Sequence, residues 1–207
     1  MNRRIVSLGI AAVLLGGCGS GAASPSAAAP TASGIGTPAT ATPRPSRTAA
    51  ASASSEESTM PFALSSPAFA AGATIPRKFS CDGAGVSPPL AWAGVPVGAV
   101  ELALLVDDPD AGGFVHWVAG GIPATASGLD EGATGSDSIP VEGRNGAGRD
   151  GWTEPCPPSG THHYRFTLYA VSRPLGLHDG LTAAELRDAV KGVTVATAAL
   201  TGTYTRG

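Results

Sequence analysis

A long stretch of this chain has nothing to build a core from. Residues 19–60 are nearly all Ala, Ser, Thr, Pro and Gly and contain no aromatic residue. Ordering such a segment costs about 1–2 kcal/mol per residue in backbone entropy, and its side chains bury too little apolar surface to offset that. Alanine alone favours helix, but Pro25, Pro30, Pro38, Pro43 and Pro45 interrupt every run. Residues 18–60 are therefore expected to form a flexible tether. Residues 61–207 remain, about 147 in number, enough for one domain with a core that needs no disulfide staple. No internal repeat divides them.

Ahead of the tether, Met1-Asn2-Arg3-Arg4 is a short basic start, followed by an apolar run of about 11 residues ending at Leu15. Spanning a bilayer takes about 20 apolar residues, so this run fits the core of an export signal over residues 1–17. Its end, Leu15-Gly16-Gly17-Cys18, resembles the lipobox of bacterial lipoproteins. That resemblance implies cleavage before Cys18 and acyl chains such as palmitate attached there. Each buried CH₂ contributes about 0.8 kcal/mol, and two or more chains make anchoring stable. The expected location is the extracytoplasmic face of the cell membrane, held by lipid.

Only 14% of residues are charged, against 29 Gly and 18 Pro, which argues against a helical bundle and suits a β-rich, loop-heavy domain. A net charge of −3 and 5% aromatics leave neither a basic footprint nor stacking platforms for nucleic acid. Strands are expected at 100–106, at 114–118 closed by Gly120-Gly121, at 164–171, and from 193 towards Tyr204. Thr182-Ala183-Ala184-Glu185 is a capping-box pattern, followed by an apolar stripe of Leu186, Ala189 and Val190 with Gly192 as the stop. The sum is a mostly antiparallel β domain with one C-terminal helix and a long loop over 124–158. Loops of that length are usually functional or mobile.

Polar residues gather at the ends of these strands. Asp108-Pro109-Asp110 follows one strand, His116 sits in the next beside Trp117, and Pro155-Cys156-Pro157-Pro158 leads to His162-His163-Tyr164. Taken singly, each has an ordinary reading: a turn, a satisfied core histidine, a polar strand edge. In order, with Cys81-Asp82-Gly83, the run Ser87 to Trp92 and the run Leu200 to Tyr204, they resemble the phosphatidylethanolamine-binding protein family, in its bacterial Raf kinase inhibitor-like (YbhB/YbcL) branch. The resemblance covers about residues 62–206. It implies a large central antiparallel sheet, a smaller second sheet, and a small anion-binding pocket at one end. The pocket positions it implies are Asp108, Asp110, His116, Pro155, Cys156, His162 and Tyr164. Gly112 replaces the family's usual Pro, Gly85 or its neighbour replaces a common Asn, the loop Ser159-Gly160-Thr161 is short, and His163 stands where Arg is usual.

Two imidazoles and a phenol offer N–H and O–H donors, which suits phosphate, sulfate or carboxylate. Carboxylates in direct contact would repel such an anion. Asp108 or Asp110 is instead expected to accept from the imidazoles of His116 and His162, favouring their charged form and fixing their orientation. Cys81 and Cys156 are the remaining thiols; in an oxidising compartment a disulfide is the simplest reading, with a reactive pocket thiol at Cys156 as the competitor. The expected function is a membrane-anchored binding protein for an anionic small molecule or phospholipid head group, acting also as regulator or inhibitor of an unidentified protein partner. No cofactor is expected. The alternative is an extracytoplasmic hydrolase using the Asp/His/Cys set, although no Gly-x-Ser-x-Gly elbow occurs. A metal site of His116, His162 and His163 lacks any His-Glu-x-x-His spacing. Trp92, Trp117 and Trp152 are expected in the core or pocket wall, and Arg144, Arg149 and His178 in solvated loops.

Overall fold

The computed structural model describes residues 60–206, so the expected export signal, Cys18 and the tether up to residue 59 lie outside them. The strands are β1 (Ala63–Ser65), β2 (Leu90–Ala93), β3 (Glu101–Asp108), β4 (Phe114–Pro123), β5 (Gly128–Leu129), β6 (Val141–Glu142), β7 (Thr161–Val171) and β8 (Thr194–Thr205). Helix α1 (Ala183–Ala189) joins β7 to β8, and short 3₁₀ turns occupy Arg77–Phe79 and Pro109–Ala111. Five strands form the large sheet in the order β6-β4-β3-β7-β8, and β1-β2-β5 form the small one, with every neighbouring pair antiparallel. Both expected sheets and the single C-terminal helix are present, as the resemblance implied.

Alternation along the central strand builds two cores. Leu102, Leu104 and Val106 of β3 face the small sheet and pack with Phe166 and Leu168 of β7, and with Leu64, Leu90 and Trp92. Ala103 and Leu105 point the other way, into a cluster with Leu181, Ala183, Leu186 and Val190 around α1. A strand buried on both faces must be apolar throughout, which is why β3 carries no polar residue between Glu101 and Asp107. The helix begins where its capping box lies: the Thr182 hydroxyl accepts from the Glu185 N–H, and the Glu185 carboxylate accepts from the Thr182 N–H. These contacts hold the Glu185 carboxyl below its usual range.

Two bulges in the β3–β4 ladder matter for the site. Leu102 pairs with Ile122 and Leu104 with Ala119, so Gly120 and Gly121 together oppose Ala103. Gly121 has φ 71°, the left-handed region that a bulge uses glycine to reach. The Gly pair therefore bends β4 where a strand end was expected, and the strand runs on to Pro123. Nearer the other end, Val106 pairs with Trp117 but Asp107 pairs with Val115. His116 is the extra residue of this second bulge.

Candidate functional site

The second bulge decides where His116 points. Strict alternation would place it with Val118 on the helix side, but the inserted residue turns it to the same face as Trp117. Its ring lies 5.0 Å from that of Tyr164, edge to face, and 6.2 Å from that of Trp152. Its main chain and that of Thr153 are stitched together. Thr153 N–H donates to the His116 carbonyl at 2.9 Å, and His116 Nδ1 donates to the Thr153 carbonyl at 2.8 Å. His116 is only 4% exposed, and burial pushes its pKa below the ordinary histidine value, so the ring is neutral at neutral pH.

Asp108 closes β3 and caps the 3₁₀ turn that follows. Its Oδ1 accepts from the N–H groups of Asp110 and Ala111, at 2.9 and 3.1 Å, and its Oδ2 accepts from His162 Nδ1 at 2.7 Å. The turn ends at Gly112 with φ 67°, a value the proline ring forbids, so the usual Pro of the family would not fit this backbone. Asp110 does a different task. Its Oδ2 accepts from both the N–H and the Nδ1 of His163, at 2.7 and 2.8 Å, and these bonds hold its carboxyl below the usual range. His163 alternates with His162 along β7, so this pair stands on the opposite side of the sheet, largely exposed.

Asp108, His116, His162, Tyr164 and Cys156 thus meet around one cleft of about 270 Å³, with Ala111, Phe114, Thr153, Glu154, Pro157 and Pro158 completing its wall. Asp110 and Pro155 do not line it. Pro155 is buried behind the wall, where its carbonyl accepts from the Cys81 N–H at 3.1 Å. The expected support of His116 by a carboxylate is replaced by the Thr153 carbonyl, and only His162 leans on Asp108. Sequence reasoning passed over Thr153 and Glu154, whose only signal was their place just before the Pro-Cys-Pro-Pro run. Cys156 is joined to Cys81 by a disulfide with Cα atoms 5.4 Å apart, so no free thiol faces the cleft. Among the described residues, no three His, Cys, Asp or Glu side chains are placed to hold a metal ion.

At the floor of the cleft, Tyr164 is 0% exposed and its hydroxyl has no hydrogen-bond partner among the described residues. Burial, reinforced by the nearby carboxylates of Asp108 and Asp110, pushes the phenol well above its ordinary pKa and keeps it a neutral donor. An unpaired buried hydroxyl costs about 1–3 kcal/mol.

The family model described as phosphatidylethanolamine-binding protein matches residues 65–205, which takes in the whole large sheet, the small sheet except the first two residues of β1, and every residue of the cleft. The chain belongs to this family. It is 47% identical over 150 residues to the Mycobacterium tuberculosis protein named "Putative lipoprotein LppC", covering 70% of this chain and 72% of that one. The crystal structure of CT736 from Chlamydia trachomatis, described as a homologue of the phosphatidylethanolamine-binding protein, superposes with a TM-score of 0.67 at 40% identity. That match covers 70% of this chain and 98% of CT736. The YbcL protein of E. coli, described as a member of the mammalian family, gives 0.65 at 30% identity, covering 70% and 99%. Family membership accounts for the two-sheet architecture around the cleft. No helix among the described residues is long and apolar enough to cross a membrane.

Proposed function

We propose that this chain is a membrane-anchored binding protein whose cleft holds a small oxyanion such as phosphate, a phosphomonoester or a phospholipid head group. The unpartnered Tyr164 hydroxyl carries this reading: it is a buried donor on a residue that lines the cleft together with His116 and His162. The cleft is also small, below the roughly 300–1,000 Å³ of pockets that take drug-sized ligands. Hydrolysis draws no support from the geometry. Cys156 is committed to its disulfide, and no serine lines the cleft to serve as nucleophile. Anchoring through Cys18 on the extracytoplasmic face is favoured by the lipobox-like Leu15-Gly16-Gly17-Cys18 and by the name of the mycobacterial relative.

Titration calorimetry with inorganic phosphate tests the cleft. Binding to the wild-type protein and its collapse in His116→Ala are expected; unchanged affinity in that variant removes the reading. Cell fractionation tests the anchor, with Cys18→Ala expected to move the protein from the membrane to the soluble fraction.

A further inference from the structure

The hydrogen-bond roles around the cleft do not suit a fully deprotonated oxyanion. A backbone carbonyl can only accept, so the 2.8 Å contact of His116 Nδ1 with the Thr153 oxygen fixes the ring proton on Nδ1. Nε2 is then a bare lone pair unless the ring becomes imidazolium. The same reasoning applies to His162, whose Nδ1 faces a carboxylate oxygen of Asp108 at 2.7 Å. The other oxygen of that carboxylate already takes two backbone N–H groups, which marks it as an ionised acceptor. Each imidazole therefore leaves its Nε2 for a ligand, and Tyr164 and Thr153 both bring hydroxyls to the cleft lining, that of Tyr164 with no hydrogen-bond partner among the described residues.

The charges facing His116 sharpen the point. From the end of β3 comes Asp108, from the segment after Thr153 comes Glu154, from β7 come His162 and Tyr164, and Asp107 acts from the opposite face of the sheet. The rings of Phe114 and Trp152 that pack on it carry no charge. No lysine or arginine lines the cleft, while two carboxylates do. A dianion there would meet Asp108 and Glu154 with no permanent cation to balance them.

Resting on the anion-site reading above, we propose that the cleft selects an oxyanion that still carries an acidic proton. The ligand is free phosphate or a phosphomonoester as its monoanion, with P–OH donating to His116 Nε2 and an ionised oxygen accepting from the Tyr164 hydroxyl. Phosphodiesters, including intact phospholipid head groups, have no such proton and are disfavoured. The depressed basicity of buried His116 points the same way, because the ring does not readily supply the proton itself. A phosphomonoester loses its second proton with a pKa of about 6, so its apparent affinity should fall about tenfold per pH unit above neutrality.

The test is titration calorimetry on the full-length protein with methyl phosphate, dimethyl phosphate and sulfate, from pH 6 to 8, in two buffers of different ionisation enthalpy. Methyl phosphate is expected to bind with uptake of close to one proton at pH 8 and with an apparent Kd about tenfold weaker there than at pH 7. Dimethyl phosphate and sulfate are expected to bind at least about tenfold more weakly than methyl phosphate at pH 6, the loss typical of a site left with an unmatched acceptor. His116→Gln, whose amide can donate where the imidazole accepts, is expected to narrow the gap between the two esters. Equal binding of the two esters without proton uptake overturns the selectivity and leaves the anion site standing. Sulfate binding as tightly as methyl phosphate with proton uptake places the proton on an imidazole and overturns a ligand-borne proton. If none of the three binds, the anion site itself fails.

Discussion

Removing the Cys81–Cys156 bridge separates a cleft wall stapled in place from one that holds itself. The bridge closes a loop of 75 residues in sequence separation. In the chain-entropy model a loop of that size restricts the unfolded chain by about 4.5 kcal/mol at 25 °C. The native wall, by contrast, has other ties: Cys81 N–H to the Pro155 carbonyl, Trp152 Nε1 to the Gly85 carbonyl, and Tyr204 Oη to Asp82 Oδ2, at 3.1, 3.1 and 2.8 Å. The loss should therefore fall on stability far more than on the shape of the cleft. In a domain of this size each kcal/mol moves Tm by about 2–4 °C, so Cys81→Ser/Cys156→Ser is expected to melt about 9–18 °C below the oxidised protein. Melting curves followed by circular dichroism, with and without reductant, give the shift, and thiol counts under denaturing, non-reducing conditions show whether the wild-type bridge was intact. The double variant should ignore reductant and keep phosphate affinity within about tenfold, or about 1.4 kcal/mol. An intact bridge whose reduction moves Tm by less than about 2 °C would refute the loop-closure argument, since that is under 1 kcal/mol.

Two further outcomes follow from the charges. His116 is buried neutral with a lowered pKa, so the unfolded chain takes up a proton below about pH 6.5 that the folded chain does not. Its contribution is whole above that pH and is lost as pH falls, with a slope of up to about 1.4 kcal/mol per pH unit; urea midpoints from pH 7.5 to 5 should fall more steeply in wild type than in His116→Gln. Asp107 is buried and accepts from Arg165 Nε and Nη2 at 3.0 and 2.8 Å and from Arg187 Nη2 at 3.1 Å. Both arginines are about half exposed and can turn to water, so Asp107→Asn is expected to cost about 1–3 kcal/mol in urea unfolding while leaving phosphate affinity unchanged. A matching loss of affinity would contradict its placement away from the cleft.

Much of the fold was legible because it is written in long, strong patterns. β3 and β7 are apolar or alternating over eight and eleven residues, and α1 announces itself through Thr182 and Glu185. The small sheet was legible only through the family resemblance, not in any local pattern. β1, β2 and β5 are three, four and two residues long, and they exist through pairings such as Leu64 with Trp92 and Leu90 with Leu129. No local pattern encodes a contact between segments so far apart. Gly120-Gly121 misled for a related reason: glycine pairs commonly end strands, and only the partner strand shows that these two share one opposing residue.

Five of the seven expected pocket residues line one cleft, and their arrangement was illegible in the sequence. Asp107 and Asp108 are neighbours in sequence and both buried, but the pleat sends them to opposite faces. One anchors two arginines beside α1, and the other orients His162 in the cleft. The same alternation divides His163, paired to Asp110, from His162. It should equally have carried His116 away from Tyr164, because His116 lies an even step from Val118 on the helix side. The bulge opposite Val106 and Asp107 breaks that parity once, locally, and brings a third strand's side chain to the cleft. One face of a sheet draws every second residue from each strand, so two adjacent positions, His116 and Trp117, can both lie on it only where the pleat is interrupted. The extra residue in β4 is therefore the structural condition for the edge-to-face pair of the His116 imidazole and the Tyr164 phenol.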